Sequence, residues 1–233
     1  MYKLTIQIWS DVVCPSCYIG MRQLKYAIQK LQVEDKVEIV LRSFQLDPNF
    51  PKGKSMSSLK HLAEVKGYSE FAVKQMCDRL DPVGKSLGIN FQFEEISIYN
   101  TCDAHRLLHW AKTMEKSFEL EEALFDAYFC RGNDLSVKKN ILDLCQKIGL
   151  DSNSAKEVLE SNDFSDKVIQ DIELSKKIGV RGVPHFLIGN NTIFSGYRSE
   201  GELETIISNA LNEVEKDEDT TDGNSCSIEG ICD

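Results

Sequence analysis

Hydrophobic residues at the start of the chain repeat first as in a strand and then as in a helix. Over residues 3–9 apolar and polar side chains alternate, which is the period of a strand with one buried face. Over residues 15–31 apolar side chains recur in steps of three and four, and Pro15 favours the first helical turn because its missing N–H would be unpaired there. Residues 37–41 alternate again. The pattern predicts a strand–helix–strand unit, whose crossover makes the two strands parallel.

Helical spacing dominates the middle of the chain, and strand spacing returns after it. Residues 52–177 contain successive blocks of apolar residues at helical intervals, so we expect an all-α insertion there. Residues 185–188 and 192–194 alternate, and Gly189-Asn190-Asn191 between them is typical of a hairpin turn because Gly and Asn tolerate a positive φ. These two strands are predicted to be antiparallel neighbours.

The last periodic segment predicts a helix over residues 199–214. Ser199 and Glu202 have the spacing of a capping box, in which each side chain binds the backbone N–H of the other residue. Residues 215–233 have no apolar period, so we expect a flexible, acidic tail there.

Outside the insertion, the predicted elements form one small mixed sheet of an α/β fold. Residues 1–51 supply a strand, a helix and a strand, and residues 178–214 supply two strands and a helix. Helices on both faces would bury such a sheet, with the insertion at one edge. The chain of 233 residues is 42% hydrophobic, yet it has no apolar run of the roughly 18 residues that a membrane helix needs. We therefore expect a globular protein with no membrane partner.

Negative charge is concentrated at the C-terminus. The chain has 27 Lys and Arg against 37 Asp and Glu, a net charge of −10. Residues 213–233 hold eight acids and one lysine and so carry −7, which leaves −3 for the rest of the chain. Such a balance repels nucleic acid and anionic lipid, so neither is an expected partner.

The sharpest chemical feature is Cys14-Pro15-Ser16-Cys17, between the first strand and its helix. In that setting a CxxC motif is typical of a redox-active dithiol. Cys14 falls at the helix N-terminus, where free N–H groups and the helix dipole favour an anion, so we expect its pKa to lie below the usual thiol value of about 8.5. Cys17, one turn further along the apolar face, is expected to attack the mixed disulfide formed by Cys14 and release the partner.

The alternative interpretation of the CxxC motif is half of a zinc site. A second CxxC does not occur among the eight cysteines, which favours redox chemistry. A strand pattern already occupies the first ten residues, where a signal peptide would lie, so we expect a cytoplasmic protein without a permanent disulfide framework. Cys77, Cys102, Cys130 and Cys145 lie in helical patterns and are expected to be small buried side chains.

Further positions are candidates for roles around the dithiol. Val183-Pro184 precedes a predicted strand. In one interpretation the proline ends the preceding helix. In the other it forms a cis peptide bond beside the thiolate, and the backbone of Val183 is then free to form hydrogen bonds with an extended substrate. Asp11 either caps the turn or accepts a proton from Cys17. His105 either approaches the dithiol or is structural.

Several stretches spread over the predicted folded body resemble the DsbA-like thioredoxin superfamily, and within it the FrnE-type cytosolic dithiol-disulfide oxidoreductases. They are Asp11-Val12-Val13-Cys14-Pro15-Ser16-Cys17-Tyr18-Ile19-Gly20, Asn100-Thr101 with Ala104-His105-Arg106-Leu107, Ala127-Tyr128-Phe129, and Gly182-Val183-Pro184. The resemblance implies a thioredoxin-like fold built from residues 1–51 and 178–214 with a helical insertion at 52–177. It also implies that Cys14 and Cys17 are the active dithiol and that Pro184 is a cis-proline facing it.

One position departs from the family pattern, because Ser16 stands where family members commonly carry Trp. The two residues between the cysteines tune thiol pKa and reduction potential, so the direction of the reaction is open between oxidation, reduction and isomerisation. Cys226 and Cys232 also resemble a second cysteine pair found near the C-terminus of some members. Three interpretations of this pair are open. The two cysteines are unreactive thiols, or they form a tethered second dithiol that exchanges with Cys14 and Cys17. In the third interpretation all four cysteines bind one zinc ion.

The sequence therefore predicts a thiol:disulfide oxidoreductase that works through a Cys14 mixed disulfide, with no cofactor and no metal. Its expected partners are protein or small-molecule thiols and disulfides, glutathione among them, and a reductant or oxidant that recycles the dithiol. Two alternatives are open. One is a non-catalytic adaptor that delivers a partner to a protease. The other is a glutathione-dependent isomerase of the same fold, against which Cys14 argues because related isomerases carry Ser there.

Overall fold

The predicted strand–helix–strand unit is confirmed. In the computed structural model, which describes residues 3–222, β1 (Leu4–Ser10) is followed by α1 (Pro15–Leu31) and β2 (Val37–Ser43). The two strands pair in parallel with Leu4 opposite Val37. The bounds of α1 are those predicted, because its apolar period and Pro15 define the same start.

The C-terminal hairpin completes a four-stranded sheet. Strands β5 (His185–Ile188) and β6 (Thr192–Ser195) pair antiparallel as predicted, and the order in the sheet is β2-β1-β5-β6. Between them Gly189 has a φ of 58°, the left-handed conformation that the turn requires. The β5 strand also pairs antiparallel with β1, so the sheet is mixed.

Helices cover both faces of this sheet. On one face α1 approaches β5 closely enough that a Cβ atom at Gly20 would lie 3.3 Å from the Phe186 ring. The last helix, α9 (Glu200–Asp222), packs against α1 on this side. On the other face Trp9 donates its indole N–H to the Asp171 carbonyl of α8 (Ser165–Lys177) at 3.2 Å.

The insertion between β2 and β5 is mostly helical, but it is not all-α as predicted. Two short strands, β3 (Ser55–Ser57) and β4 (Ser97–Tyr99), pair antiparallel inside it. Each has three residues, too few to produce a period of two that could be read from sequence. Its helices are α2 (Ser58–Lys60), α3 (Glu70–Ser86), α4 (Cys102–Lys112), α5 (Ser117–Phe125), α6 (Lys138–Lys147), α7 (Ser152–Glu160) and α8, with π-helical turns at His61–Val65 and Asp126–Cys130.

The final helix is longer than predicted. The capping box is present, since Ser199 N donates to Glu202 Oε2 at 2.9 Å and Glu202 N donates to Ser199 Oγ at 3.3 Å. The helix continues beyond the predicted end at residue 214 to Asp222, and the flexibility of the tail stays a prediction. An ion pair of 3.1 Å joins Lys36, which precedes β2, to Glu215 in this extension. Residues 223–233 lie outside the described part of the chain.

One hydrophobic cluster joins the sheet to the insertion. It includes Ile6 and Ile8 of β1, Leu24 of α1, and Phe125 and Leu144 of the insertion, all of them buried. Across residues 3–222, none of the helices combines the length and the apolar character needed to cross a bilayer. The thioredoxin-like segments and the insertion therefore share a single core.

Candidate active site

Cys14 occupies the N-cap position of α1. Its backbone is extended, with φ −100° and ψ 111°, and Pro15 is the first helical residue. The Cys14 carbonyl accepts hydrogen bonds from Cys17 N at 3.0 Å and Tyr18 N at 3.3 Å, so the helix begins directly behind this thiol. Ser16, between the two cysteines, is half-buried. This location places Cys14 beside the free N–H groups of the first turn.

Cys14 also faces the loop that enters β5. Its Sγ donates to the Val183 carbonyl at 3.5 Å, and the Val183–Pro184 peptide bond is cis, as the family resemblance implied. Gly20 makes this juxtaposition possible, because a Cβ atom at residue 20 would lie 3.2 Å from Pro184 Cγ. The sheet and α1 thus bring Cys14, Val183 and Pro184 together from opposite ends of the chain.

The two thiols differ in exposure. Cys14 keeps 6% of its surface exposed, whereas Cys17 has none. Burial raises the pKa of Cys17 well above that of an ordinary thiol, and the adjacent Cys14 thiol raises it further, against smaller opposing effects of the Asp11 backbone and the Ser10 hydroxyl. Cys17 is therefore a neutral thiol near pH 7 and must lose a proton before it can attack.

The Asp11 side chain does not cap the first turn of α1, and its predicted role as proton acceptor for Cys17 stays a prediction. The carboxylate is fully buried, and it accepts a hydrogen bond from Leu46 N at 2.8 Å while its other oxygen lies 3.3 Å from His105 Nε2. The turn before α1 is instead closed by the Asp11 backbone carbonyl, which accepts from Cys14 N at 2.9 Å. The described side-chain hydrogen bond of His105 is thus to Asp11 and not to Cys14 or Cys17. The pair anchors the loop that carries Cys14.

Ser10 and Glu121 were not predicted from the sequence as residues of the site. Glu121 of α5 is 1% exposed, and burial raises its pKa to about 7, helped by Asp11 and opposed by Ser10 and His105. The Ser10 hydroxyl lowers the pKa of both Cys17 and Glu121, so it lies near both groups. Ser10 Oγ and Glu121 Oε2 have no well-formed hydrogen bond to other described residues. A buried acid therefore lies near Ser10, Asp11 and His105, beside the segment that leads from β1 to the dithiol.

One sequence signal could have found Glu121. It follows Leu120 and precedes Leu124 and Phe125, all three fully buried, so its position lies on the apolar face of α5. A charged residue on an apolar helix face is rarely buried without a reason.

The remaining thiols differ from the prediction in part. Cys145 is fully buried, and burial raises its pKa to about 11, as expected for a small core side chain. Cys77, Cys102 and Cys130 are only half-buried. All six cysteines within residues 3–222 are free thiols, and no group of three or more His, Cys, Asp or Glu in that range is arranged to hold a metal ion. Cys226 and Cys232 lie outside the described residues, so the shuttle and the zinc set that would include them stay predictions.

Comparison with known proteins identifies the family of the chain. A model of the DSBA-like thioredoxin domain matches residues 5–208. The chain belongs to this family. The uncharacterized protein YwbO of Bacillus subtilis (strain 168) is 27% identical over 205 residues, which cover 87% of this chain and 95% of that protein. The crystal structure of the probable DsbA oxidoreductase SCO1869 from Streptomyces coelicolor superposes with a TM-score of 0.84 at 26% identity, covering 98% of this chain and 94% of that one.

The same fold also occurs in a protein that is named as an isomerase. The structure of 2-hydroxychromene-2-carboxylate isomerase superposes on this DSBA-like chain with a TM-score of 0.67 at 16% identity, covering 93% of this chain and 98% of that one. At this identity the likeness shows a shared fold.

Proposed function

We propose that this DSBA-like protein is a thiol:disulfide oxidoreductase whose active dithiol is Cys14 and Cys17. The observation that carries the proposal is a pair of thiols one helical turn apart. Cys14, at the N-cap of α1 and opposite a cis-proline, keeps 6% of its surface exposed, and Cys17 is fully buried. Membership of the family and the likeness to a probable DsbA oxidoreductase support it.

The exchange takes place in two balanced steps. The Cys14 thiolate attacks one sulfur of a substrate disulfide, which forms a mixed disulfide and releases the other sulfur as a thiolate. Cys17 then loses its proton and attacks Cys14 Sγ, which forms the Cys14–Cys17 disulfide and releases the second substrate thiolate. The substrate is reduced and the dithiol oxidised, and the reverse sequence oxidises a substrate dithiol. A separate thiol or disulfide returns the enzyme to its starting state.

Glu121 is the proposed acceptor of the Cys17 proton. Its pKa of about 7 leaves a large fraction ionised at neutral pH, and the Ser10 hydroxyl lies near both groups. Val183, which is half-buried, and Pro184, which is buried, are proposed to present backbone to an extended substrate beside Cys14. The FrnE subtype, the direction of the reaction, the recycling partner and the cytoplasmic location stay predictions from the sequence.

Two cysteine variants test the proposal. With a fluorogenic peptide disulfide as substrate, Cys14→Ser is expected to reduce exchange to the uncatalysed rate because the attacking thiolate is gone. Cys17→Ala is expected to accumulate a covalent Cys14–substrate adduct, visible as added mass that a reductant removes. Cys102→Ser, at a half-buried thiol outside the site, is the matched control and keeps the wild-type rate. Full exchange activity in Cys14→Ser would refute the proposal.

The other two functions predicted from the sequence have their own tests. The isomerase requires glutathione to bind without a covalent step, so calorimetry of Cys14→Ser with reduced glutathione is expected to show no saturable heat. The adaptor requires partner binding and cellular function without the dithiol. A Cys14→Ser, Cys17→Ala double variant that kept both would support the adaptor and exclude exchange as the physiological role.

A further inference from the structure

A sizeable groove lies in the insertion, and neither Cys14 nor Cys17 lines it. Its volume is about 850 Å³, within the range of pockets that hold sizeable ligands. The lining comes from α2 and the π-helical turn after it, from α3, and from residues 91–95. Apolar side chains in the lining are Leu59, Ala63, Val73, Phe91 and Phe93.

The rim of the groove is acidic. Six acids line it, namely Glu64, Glu70, Asp78, Asp81, Glu94 and Glu95, against two lysines, so the lining carries a net charge of −4. Both lysines are paired with rim acids, Lys60 with Glu64 at 3.8 Å and Lys74 with Asp78 at 3.2 Å. Glu70, Glu94 and Glu95 form no ion pair with any Lys or Arg among the residues whose side chains are described. The rim therefore has negative charge that a basic ligand would neutralise.

Exposed apolar side chains are concentrated beside the groove. Phe71, next to the rim residue Glu70, is 70% exposed, and Val65, next to Glu64, is 59% exposed. Tyr68, between them in sequence, is 48% exposed. Aromatic side chains of this kind are common anchors of protein–protein contacts. These three exposed side chains and the groove together offer an apolar surface that is surrounded by negative charge.

The floor of the groove touches the helix that carries the dithiol. The Phe91 ring stacks on Phe93 with centroids 4.8 Å apart and meets Tyr18 edge-on at 6.4 Å. Tyr18 lies one turn after Cys14, to whose carbonyl its backbone N–H is bonded. A polypeptide held in the groove is thus held next to the element that positions the active thiol, which raises the effective concentration of its disulfide there.

We propose that this groove binds a basic, apolar segment of the polypeptides on which the protein acts. The proposal rests on the proposed thiol:disulfide exchange and names the class of its substrate. Charge complementarity selects the occupant: the chain's own C-terminal segment carries −7 over residues 213–233 and is repelled by the rim, as is a second copy of this acidic chain.

A binding experiment separates the groove from the redox chemistry. A short cysteine-free peptide that alternates Lys with Leu and Phe is titrated into the full-length Cys14→Ser, Cys17→Ala variant, which cannot exchange. We expect saturable binding that weakens about tenfold when Glu replaces Lys in the peptide, when Ser replaces Leu and Phe, or when the protein carries Glu70→Gln, Glu94→Gln and Glu95→Gln. The matched control removes three exposed acids elsewhere, Glu34→Gln, Asp35→Asn and Glu157→Gln, and leaves the affinity unchanged.

Cys77 locates the bound peptide, because its half-buried thiol lines the groove. In the same variant, saturating peptide is expected to slow alkylation of Cys77 about fivefold or more, measured by mass spectrometry of the labelled fragment. The rate at Cys102, half-buried outside the groove, is the internal control. Absence of binding, or binding that leaves the Cys77 rate unchanged, would overturn the proposal.

A turnover experiment distinguishes failure of this proposal from failure of the proposed function. The wild-type protein is given two peptide disulfides that differ only in a Lys-, Leu- and Phe-containing extension. A higher kcat/KM for the extended substrate supports the groove. Equal, nonzero values contradict the groove and leave thiol exchange intact, whereas no turnover of either substrate contradicts the exchange function.

Discussion

Two buried groups, Cys17 and Glu121, have raised pKa values. In the proposed exchange, Cys17 must ionise to release a substrate, although burial and the Cys14 thiol oppose its ionisation. Burial raises the pKa of Glu121 to about 7, and we propose this carboxylate as the acceptor of the Cys17 proton. A buried carboxyl costs stability whenever it is charged.

Glu121 gives a prediction about stability and pH. Its pKa is about 7 in the folded protein against 4.5 for an ordinary Glu, so the native state holds the proton more tightly and stability falls as pH rises between these values. Between about pH 5 and about pH 8 this loss in the free energy of unfolding amounts to about 2–3 kcal/mol, and we expect Glu121→Gln to remove it. Denaturant unfolding of the reduced protein at several pH values measures the effect. Glu119→Gln, at a 47% exposed side chain of the same helix, is the control. An unchanged pH profile in Glu121→Gln would contradict the raised pKa.

The same substitution gives a kinetic prediction. If Glu121 accepts the Cys17 proton, release of the substrate from the mixed disulfide accelerates as pH rises through about 7, where the carboxylate forms. We expect Glu121→Gln to slow this release and to remove the inflection from its pH dependence. The release rate is measured by quenching single turnovers with acid and quantifying the remaining adduct by mass spectrometry. Formation of the adduct by Cys14 precedes this step and is expected to keep its rate. An inflection that survives the substitution would assign the proton to another group.

At the residue scale, the sequence predicted the dithiol better than its surroundings. Cys14 and Cys17 were found because a local motif and a helix period coincide. The hydrogen bond between Asp11 and Leu46 and the approach of Glu121 to Ser10 and Asp11 join segments far apart in sequence, and local patterns contain no information about such approaches. The position of Glu121 on an apolar helix face marks it as unusual without naming its neighbour.

At the element scale, one carboxylate links the sheet to the insertion. Asp171 of α8 accepts hydrogen bonds from Ser43 N and from Arg42 at 2.9 Å each, and lies 3.1 Å from His109 Nε2. Burial alone would raise the pKa of Asp171, but the bonds from His109 and Ser43 and the charge of Arg42 lower it below the usual value. The ionised form thus stabilises the contact of α8 with β2 and α4.

Removing this carboxylate is expected to destabilise the protein. Asp171→Ala leaves Arg42 and the Ser43 N–H without their acceptor, so we expect a loss of about 3 kcal/mol in the free energy of unfolding at neutral pH. Asp166→Ala, at a 64% exposed position of the same helix, is expected to change it by less than about 0.5 kcal/mol. Chemical denaturation measures both values. Equal effects of the two substitutions would show that the Asp171 contacts carry no net stability.

Elements with many periodic residues were predicted with nearly correct bounds, and short or unpatterned ones were not. Helix α1 and the strands of the main sheet each follow a clear period. The three-residue strands β3 and β4 are too short for one, and residues 215–222 extend α9 without apolar residues to mark them. Helix formation there depends on continuation from a packed turn, which a search for periodicity does not detect.

At the scale of the whole molecule, the division into a thioredoxin-like unit and an insertion describes chain order better than packing. The core cluster contains residues of both. Tyr18 of α1 stacks on Phe125 of the insertion with ring centroids 5.0 Å apart, and Trp9 of β1 bonds to α8. Two units that share a core in this way lose much of their buried apolar surface if one unfolds alone, so we infer a single cooperative unit.

The two tryptophans of the chain test this cooperativity, because Trp9 lies in the sheet and Trp110 in the insertion. Trp9→Phe and Trp110→Phe each leave one fluorophore, which reports one part of the molecule. Within each variant, under reducing conditions, we expect the fluorescence and far-ultraviolet circular dichroism transitions in denaturant to have the same midpoint and slope, since separation would expose the shared core. Comparison within a variant makes the result independent of the stability that the substitution itself removes. In Trp9→Phe, the Trp110 fluorescence could change at a lower denaturant concentration than the circular dichroism. That result would show that the insertion unfolds first, and that the shared core is too weak to couple the two parts.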